Sequence, residues 1–126
     1  MASKVLLDTN AILRYLLDDN HEQHLQVLET IKTKDCFCIL SVIQEAVYVL
    51  NGYYAIPREP IKQIFSSLSE VISICDDDVL LKALDFFIET PKLDFIDCIL
   101  CGYQVCRDYN VFSFDQKLNK KIKRIS

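Results

Sequence analysis

Val5-Leu6-Leu7-Asp8-Thr9-Asn10 is the stretch from which the fold can be read. Three apolar residues in a row, closed by an acid and two further polar residues, read as a short strand that hands over to a helix. A continuous apolar run, rather than an alternating one, is what a strand covered on both faces shows. The same kind of run recurs at residues 36–40, 71–75 and 111–114, the last as Val111-Phe112-Ser113-Phe114 before Asp115. Helical segments fall between these runs. They are expected over residues 11–17, then 21–34 with Leu25, Leu28 and Ile31 on one face, then 41–50. Ser41 and Gln44 have the spacing of a capping box, and Asn51-Gly52 is expected to stop that helix. Pro57 and Pro60 open another helix through Leu68, and Asp76-Asp77-Asp78 starts one that runs to about Ile88. Residues 95–109 are apolar on nearly every side, so that helix is expected to be central, and a basic helical stretch follows Asp115. Short apolar strands separated by helices imply βαβ units, a parallel sheet and helices on both faces. Such sheets bind ligands at the carboxyl ends of their strands.

The 126 residues fit one domain, 1–126, large enough for a real core. Hydrophobic residues make up 51% and charged residues 25%, which excludes a disordered chain. No apolar run approaches the ~20 residues of a membrane span. The run after Lys4 is too short for a signal-peptide core, so the expected setting is cytoplasmic. Fourteen basic residues against eighteen acidic ones give a net charge of −4, which argues against a simple basic clamp on nucleic acid. Six cysteines lie in apolar runs, Cys36, Cys38 and Cys75 in strands and Cys98, Cys101 and Cys106 in one helix. They read as reduced, small hydrophobes. A zinc site pairing Cys98 and Cys101 with His21 and His24 is the weaker alternative.

Four carboxylates stand out. Asp8 follows the first strand and Asp115 the fourth, so both sit at carboxyl ends; Asp8 also suits a helix N-cap, together with Thr9 and Asn10. Glu45 shares a helix with Val42, Ile43, Ala46, Val47 and Val49, with no obvious solvated face, so it needs a partner. Asp94 reads as the N-cap of the 95–109 helix. Asp97, a turn further in beside Cys98 and Cys101, is the better inward-facing candidate. Carboxylates gathered in one cleft repel by about 4 kcal/mol for a pair at ~4 Å and need a compensating cation. An oxygen-only donor set selects a hard ion, Mg²⁺ or Mn²⁺, and such sites hydrolyse phosphodiesters.

On these residues the chain resembles a PIN-domain ribonuclease, specifically the virulence-associated protein C (VapC) toxins of type II toxin–antitoxin pairs. Leu6-Leu7-Asp8-Thr9-Asn10 resembles the family's opening strand and first acid. Leu40-Ser41-Val42-Ile43-Gln44-Glu45 resembles the segment of the second, Asp94-Phe95-Ile96-Asp97 that of the third, and Phe112-Ser113-Phe114-Asp115-Gln116-Lys117-Leu118 that of the fourth. The resemblance implies a three-layer α/β/α fold with a central parallel sheet of four to five strands. It implies a Mg²⁺-dependent endoribonuclease with Asp8 and Asp97 as main metal ligands, and with Glu45 and Asp115 completing the site. Asn10 and Ser113 would support these carboxylates, Ser113 standing where Thr is commoner, and Asp94 competes with Asp97 for the third position. It further implies RNA as substrate, a homodimer, and a small antitoxin protein that covers the site.

After Asp115 come five basic residues and no acid: Lys117, Lys120, Lys121, Lys123 and Arg124. They read equally as a solvated helix and as a phosphate-contacting patch, with Lys117, Lys120 and Lys121 the candidate RNA contacts. Tyr48, Tyr53 and Tyr54 suit either base stacking or packing. Competing readings are a PIN nuclease in RNA processing or DNA cleavage, and a non-catalytic α/β signalling module. A phospho-receiver would need paired acids after the first strand, where Asp8 is followed by Thr9 and Asn10.

Overall fold

Three of the four apolar runs form strands in the computed structural model, which describes residues 4–126. They are β1 (Lys4–Leu6), β2 (Asp35–Cys38) and β3 (Ser73–Ile74), in the order β1-β2-β3 and parallel throughout. Val5 lies opposite Cys36 and Leu6 opposite Phe37, while Phe37 and Cys38 lie opposite Ser73 and Ile74. Pairing runs one residue past the strand ends. Leu7 N donates to Phe37 O at 2.9 Å and Cys75 N to Cys38 O at 2.9 Å, so Asp8 and Asp76 emerge together with the carboxyl ends of their strands.

The helices follow the expected sequence: α1 (Thr9–Leu16), α2 (His21–Thr33), α3 (Leu40–Tyr48), α4 (Arg58–Val71), α5 (Asp77–Glu89), α6 (Phe95–Arg107) and α7 (Gln116–Ile125). The crossover from β1 to β2 carries α1 and α2, and the one from β2 to β3 carries α3 and α4. The core joins these helices to the sheet through Ile12, Ile43, Phe65, Leu80, Leu84 and Phe87, all fully buried. Gly102 of α6 faces α5 so closely that a Cβ would lie 2.9 Å from Val79 O. Cys98 and Cys101, also small and fully buried, share that helix. All six cysteines are free, and burial pushes the Cys38 and Cys98 thiols up to about 12, which leaves them inert hydrophobes.

Several expectations are corrected. The sheet has three strands among the described residues, not four to five. Residues 111–114 are irregular, because local bonds take the backbone that a ladder would use: Asp115 N donates to Ser113 Oγ at 3.0 Å, and Asn119 Nδ2 to Ser113 O at 2.8 Å. Phe112 and Phe114 consequently stand 84% and 90% exposed. Ser41 does not cap α3, since the helix starts at Leu40 with Ile39 as its N-cap. Asn51-Gly52 does not stop the chain either. It continues as a π-helical turn (Val49–Tyr53), with Asn51 Nδ2 donating to Ile56 O at 2.8 Å. α6 is not buried all round, because Ile96, Leu100 and Val105 are exposed; α5, with Val79, Leu80, Ala83, Leu84, Phe86 and Phe87 buried, is the more enclosed of the pair. On α2, Leu25 is half-exposed.

Candidate active site

Two of the proposed acids, Asp8 and Asp115, and Asp94, which competes with Asp97 for the third position, are held by the same local device. Asp8 caps α1 through Ala11 N at 2.8 Å, Asp94 caps α6 through Asp97 N at 3.1 Å, and Asp115 caps α7 through Leu118 N at 2.9 Å. Each cap bond uses Oδ1 and fixes the carboxylate at a helix N-terminus, where the backbone favours negative charge. The second oxygen of Asp8 and of Asp115 makes no hydrogen bond among the described residues.

Glu45 is exposed, on the face of α3 that also carries Ser41 and Tyr48, and so does have a solvated side. Its partner is the Thr9 hydroxyl, which donates to Oε2 at 3.0 Å across 36 residues of sequence. This bond ties α3 to the residue directly after Asp8. Sequence patterning does not reveal the bond; a hydroxyl flanking the first acid is the signal that could have found it.

Asp97 is half-buried in the first turn of α6 and its carboxyl is pushed up to about 6. Burial is the main cause; the Asp94 charge and a hydrogen bond with Asp94 follow, then the Asp115 charge, with Lys117 opposing. Asp94 and Asp115 are therefore each near enough to act on Asp97, as is Lys117. Ser113 shapes the turn that presents Asp115. No hydrogen bond joins Asn10 to any of the four acids among the described residues.

The basic residues divide. Lys117 and Lys120 are exposed. Lys121 is only 5% exposed, its Nζ 3.4 Å from Glu89 Oε2 and 4.8 Å over the Phe86 ring, so it is engaged inside the protein. Tyr48 and Tyr53 project into solvent, and the rings of Tyr53 and Tyr54 meet edge to face at 4.9 Å.

The model of the PIN domain family matches residues 5–123. The chain belongs to the PIN domain family. No curated protein matches it. PIN domains are generally nucleases and typically use divalent metals, so the acids of this PIN domain have to be tested against such an ion. In kind they fit: the donors are carboxylate oxygens, and the crowding that raises Asp97 is relieved by added positive charge. In convergence they fall short, since no three His, Cys, Asp or Glu side chains form a metal-holding group among the described residues. That also leaves the zinc alternative without support. His21 bonds Asp18 at 2.9 Å, and His24 bonds Arg14 O at 2.8 Å. Among the described residues no helix of this PIN domain is long and apolar enough to cross a membrane.

Proposed function

We propose that this PIN domain is a metal-dependent endoribonuclease and the toxic member of a toxin–antitoxin pair. The observation that carries the nuclease reading is the match to the PIN domain family over residues 5–123, in a chain whose Asp94 and Asp115 are fixed at helix N-termini with Asp97 in the first turn beside Asp94. Carboxylates whose repulsion Lys117 offsets only in part, on a surface that must receive phosphate, would be neutralised by a bound cation. Asp8 and Asp97 would hold Mg²⁺ or Mn²⁺, with Glu45 and Asp115 completing the set. When bound, the ion supplies positive charge to the phosphate and lowers the pKa of water.

The chain's own residues prepare this. The cap bonds hold Asp8 and Asp115 at fixed orientations, so little rotamer freedom is lost on binding. Thr9 keeps Glu45 turned toward α1. Lys117 offsets part of the repulsion at Asp97 and offers a cation to a phosphate of the RNA. A homodimer and a small antitoxin are the partners proposed with this activity. The exposed Ile96, Leu100, Phe112 and Phe114 support surfaces that another chain covers.

Cleavage of an RNA in Mg²⁺ by the purified chain, set against Asp8→Asn and Asp97→Asn, tests the activity. Both variants should fold, and both should lose cleavage by about 10²-fold or more. Full cleavage by a folded Asp8→Asn chain would sink the assignment. Growth arrest on expression, relieved by a co-expressed small antitoxin encoded next to it, tests the biological role.

A further inference from the structure

We propose that a cavity between α7 and the segment joining α5 to α6 binds a phosphate group of the strand on which the acids act. The cavity measures about 500 Å³, within the range of ligand sites, and is lined by Thr90, Leu93 and the cations Lys92, Lys117, Lys120, Lys121 and Arg124. Five of these seven side chains are cations, and no carboxylate lines the wall. Only Lys121 has an ion-pair partner among the described residues, Glu89. Like charges on a concave wall focus a field that attracts an anion.

A second observation comes from Thr90, at the C-terminus of α5. Its backbone is satisfied: N donates to Phe86 O at 2.9 Å, and O accepts from Leu93 N at 3.0 Å and from Arg58 at 3.3 Å. Its hydroxyl Oγ1 is buried with no hydrogen-bond partner. Buried hydroxyls nearly always have one, and because Thr90 lines the cavity a small side-chain rotation would turn this hydroxyl to a phosphate oxygen. Lys117 places the cavity relative to the acids, because it lines the wall and stands in the first turn of α7, two residues after its N-cap Asp115. A strand with one phosphate at the carboxylates thus meets the cavity beside them. The proposal rests on the nuclease reading for the identity of its ligand. A terminal phosphomonoester and an internal phosphodiester share the required chemistry.

The test uses the full chain in metal-free buffer with EDTA, so that RNA is bound and not cut. Inorganic phosphate should shift the backbone amide resonances of Thr90, Leu93 and Lys117. Lys92 and Arg124 are exposed, so a Lys92→Gln/Arg124→Gln double variant should melt like the parent. It should bind a fluorescent ten-nucleotide RNA at least tenfold more weakly at 0.1 M salt. Its salt slope should fall by about 0.7 for each RNA phosphate that it no longer neutralises. Thr90→Val should weaken inorganic phosphate binding and leave that slope unchanged. A 5′-phosphorylated RNA that outbinds its 5′-hydroxyl counterpart, by a factor the double variant erases, assigns the cavity to a terminal phosphate. Equal affinities, both weakened by the double variant, assign it to an internal one. Unchanged affinity and slope in the double variant overturn the proposal, as do amide shifts produced by a glutamate-rich peptide and not by phosphate. Intact RNA binding in the double variant beside abolished cleavage in Asp97→Asn overturns the cavity and keeps the nuclease. Phosphate shifts at Thr90 in a chain that cleaves no RNA do the reverse.

Discussion

Asp97 ionises against partial burial and two neighbouring carboxylates, with Lys117 as counterweight. Its folded-state pKa, about 6, lies above the ordinary 3.8, so the folded state holds the proton more tightly than the unfolded chain does. The native state is therefore penalised above pH 6, where the carboxyl is charged in both states, and the penalty fades as pH falls toward 4. Asp97→Asn mimics the protonated form. At pH 7.5 it should stabilise the protein by about 1 kcal/mol after solvent screening, raising Tm by about 3–5 °C, while cleavage is lost. Thermal melts at pH 7.5 and pH 4 check this: the gain should be present at the first and mostly absent at the second. Lys121 makes the opposite case, a cation enclosed beside Phe86 with a partner, Glu89, that is itself largely exposed. Lys121→Met removes the cost of burying the charge without orphaning a buried acid, so Tm should stay level or rise. Asp8 and Asp94 were legible as caps because an N-cap bond spans only three positions of sequence, whereas Asp115 was legible only as the acid that ends an apolar run. The exposure of Glu45 and its bond to Thr9 were not, since they depend on how α1 meets α3.

Helix ends with side-chain caps lie close to their sequence signals, and those set by chain trajectory do not. The chain leaves β2 and turns into α3 at Leu40, which puts Ser41 inside the helix, where its hydroxyl cannot cap. Helix contact is likewise decided in three dimensions. Gly102 looks like a weak point in α6 by propensity alone, yet it is where α6 approaches Val79 of α5. Gly102→Ala should gain helix propensity and still destabilise by about 1–3 kcal/mol, because the new methyl meets the backbone carbonyl of Val79. Urea unfolding measures the sign, and a stabilised variant would contradict the packing. Beside this contact the two helices are also joined by Arg107, which bonds Asp76 at 3.0 Å and Asp78 at 2.6 Å, and by Tyr103, which donates to Asp76 at 2.7 Å. Tyr103 first and Arg107 next hold Asp76 below the ordinary 3.8, and Arg107 does so for Asp78. Lowered acids stabilise the fold above the unfolded pKa, and that contribution is lost as pH falls through the native values. Arg107→Met should thus lower Tm modestly at pH 7, and the difference from the parent should close in acid.

The molecule's surface differs from what net charge and hydrophobic pattern suggest. Setting aside Asp8, Glu45, Asp97 and Asp115 leaves fourteen acids against fourteen bases, so the −4 is ascribable to the proposed site. The helix–strand alternation across the whole chain was legible because it repeats locally. The strand count was not, since a strand exists only when a distant partner pairs with it. Residues 111–114 carry a strand's composition and form none. Their two phenylalanines meet each other edge to face at 5.3 Å and otherwise face solvent. Such side chains add almost nothing to the stability of a lone chain, so Phe112→Ser/Phe114→Ser should shift its unfolding free energy by no more than about 0.5 kcal/mol. In the proposed homodimer they have a different value, because two exposed aromatic rings per chain are the kind of anchor that dominates association. Sedimentation at matched concentrations should find the parent as a dimer and the double variant shifted toward monomer, with unchanged helical content. A dimer of undiminished affinity would move the interface elsewhere, to the exposed Ile96 and Leu100 of α6, and Ile96→Ser/Leu100→Ser would then be the variant that dissociates it.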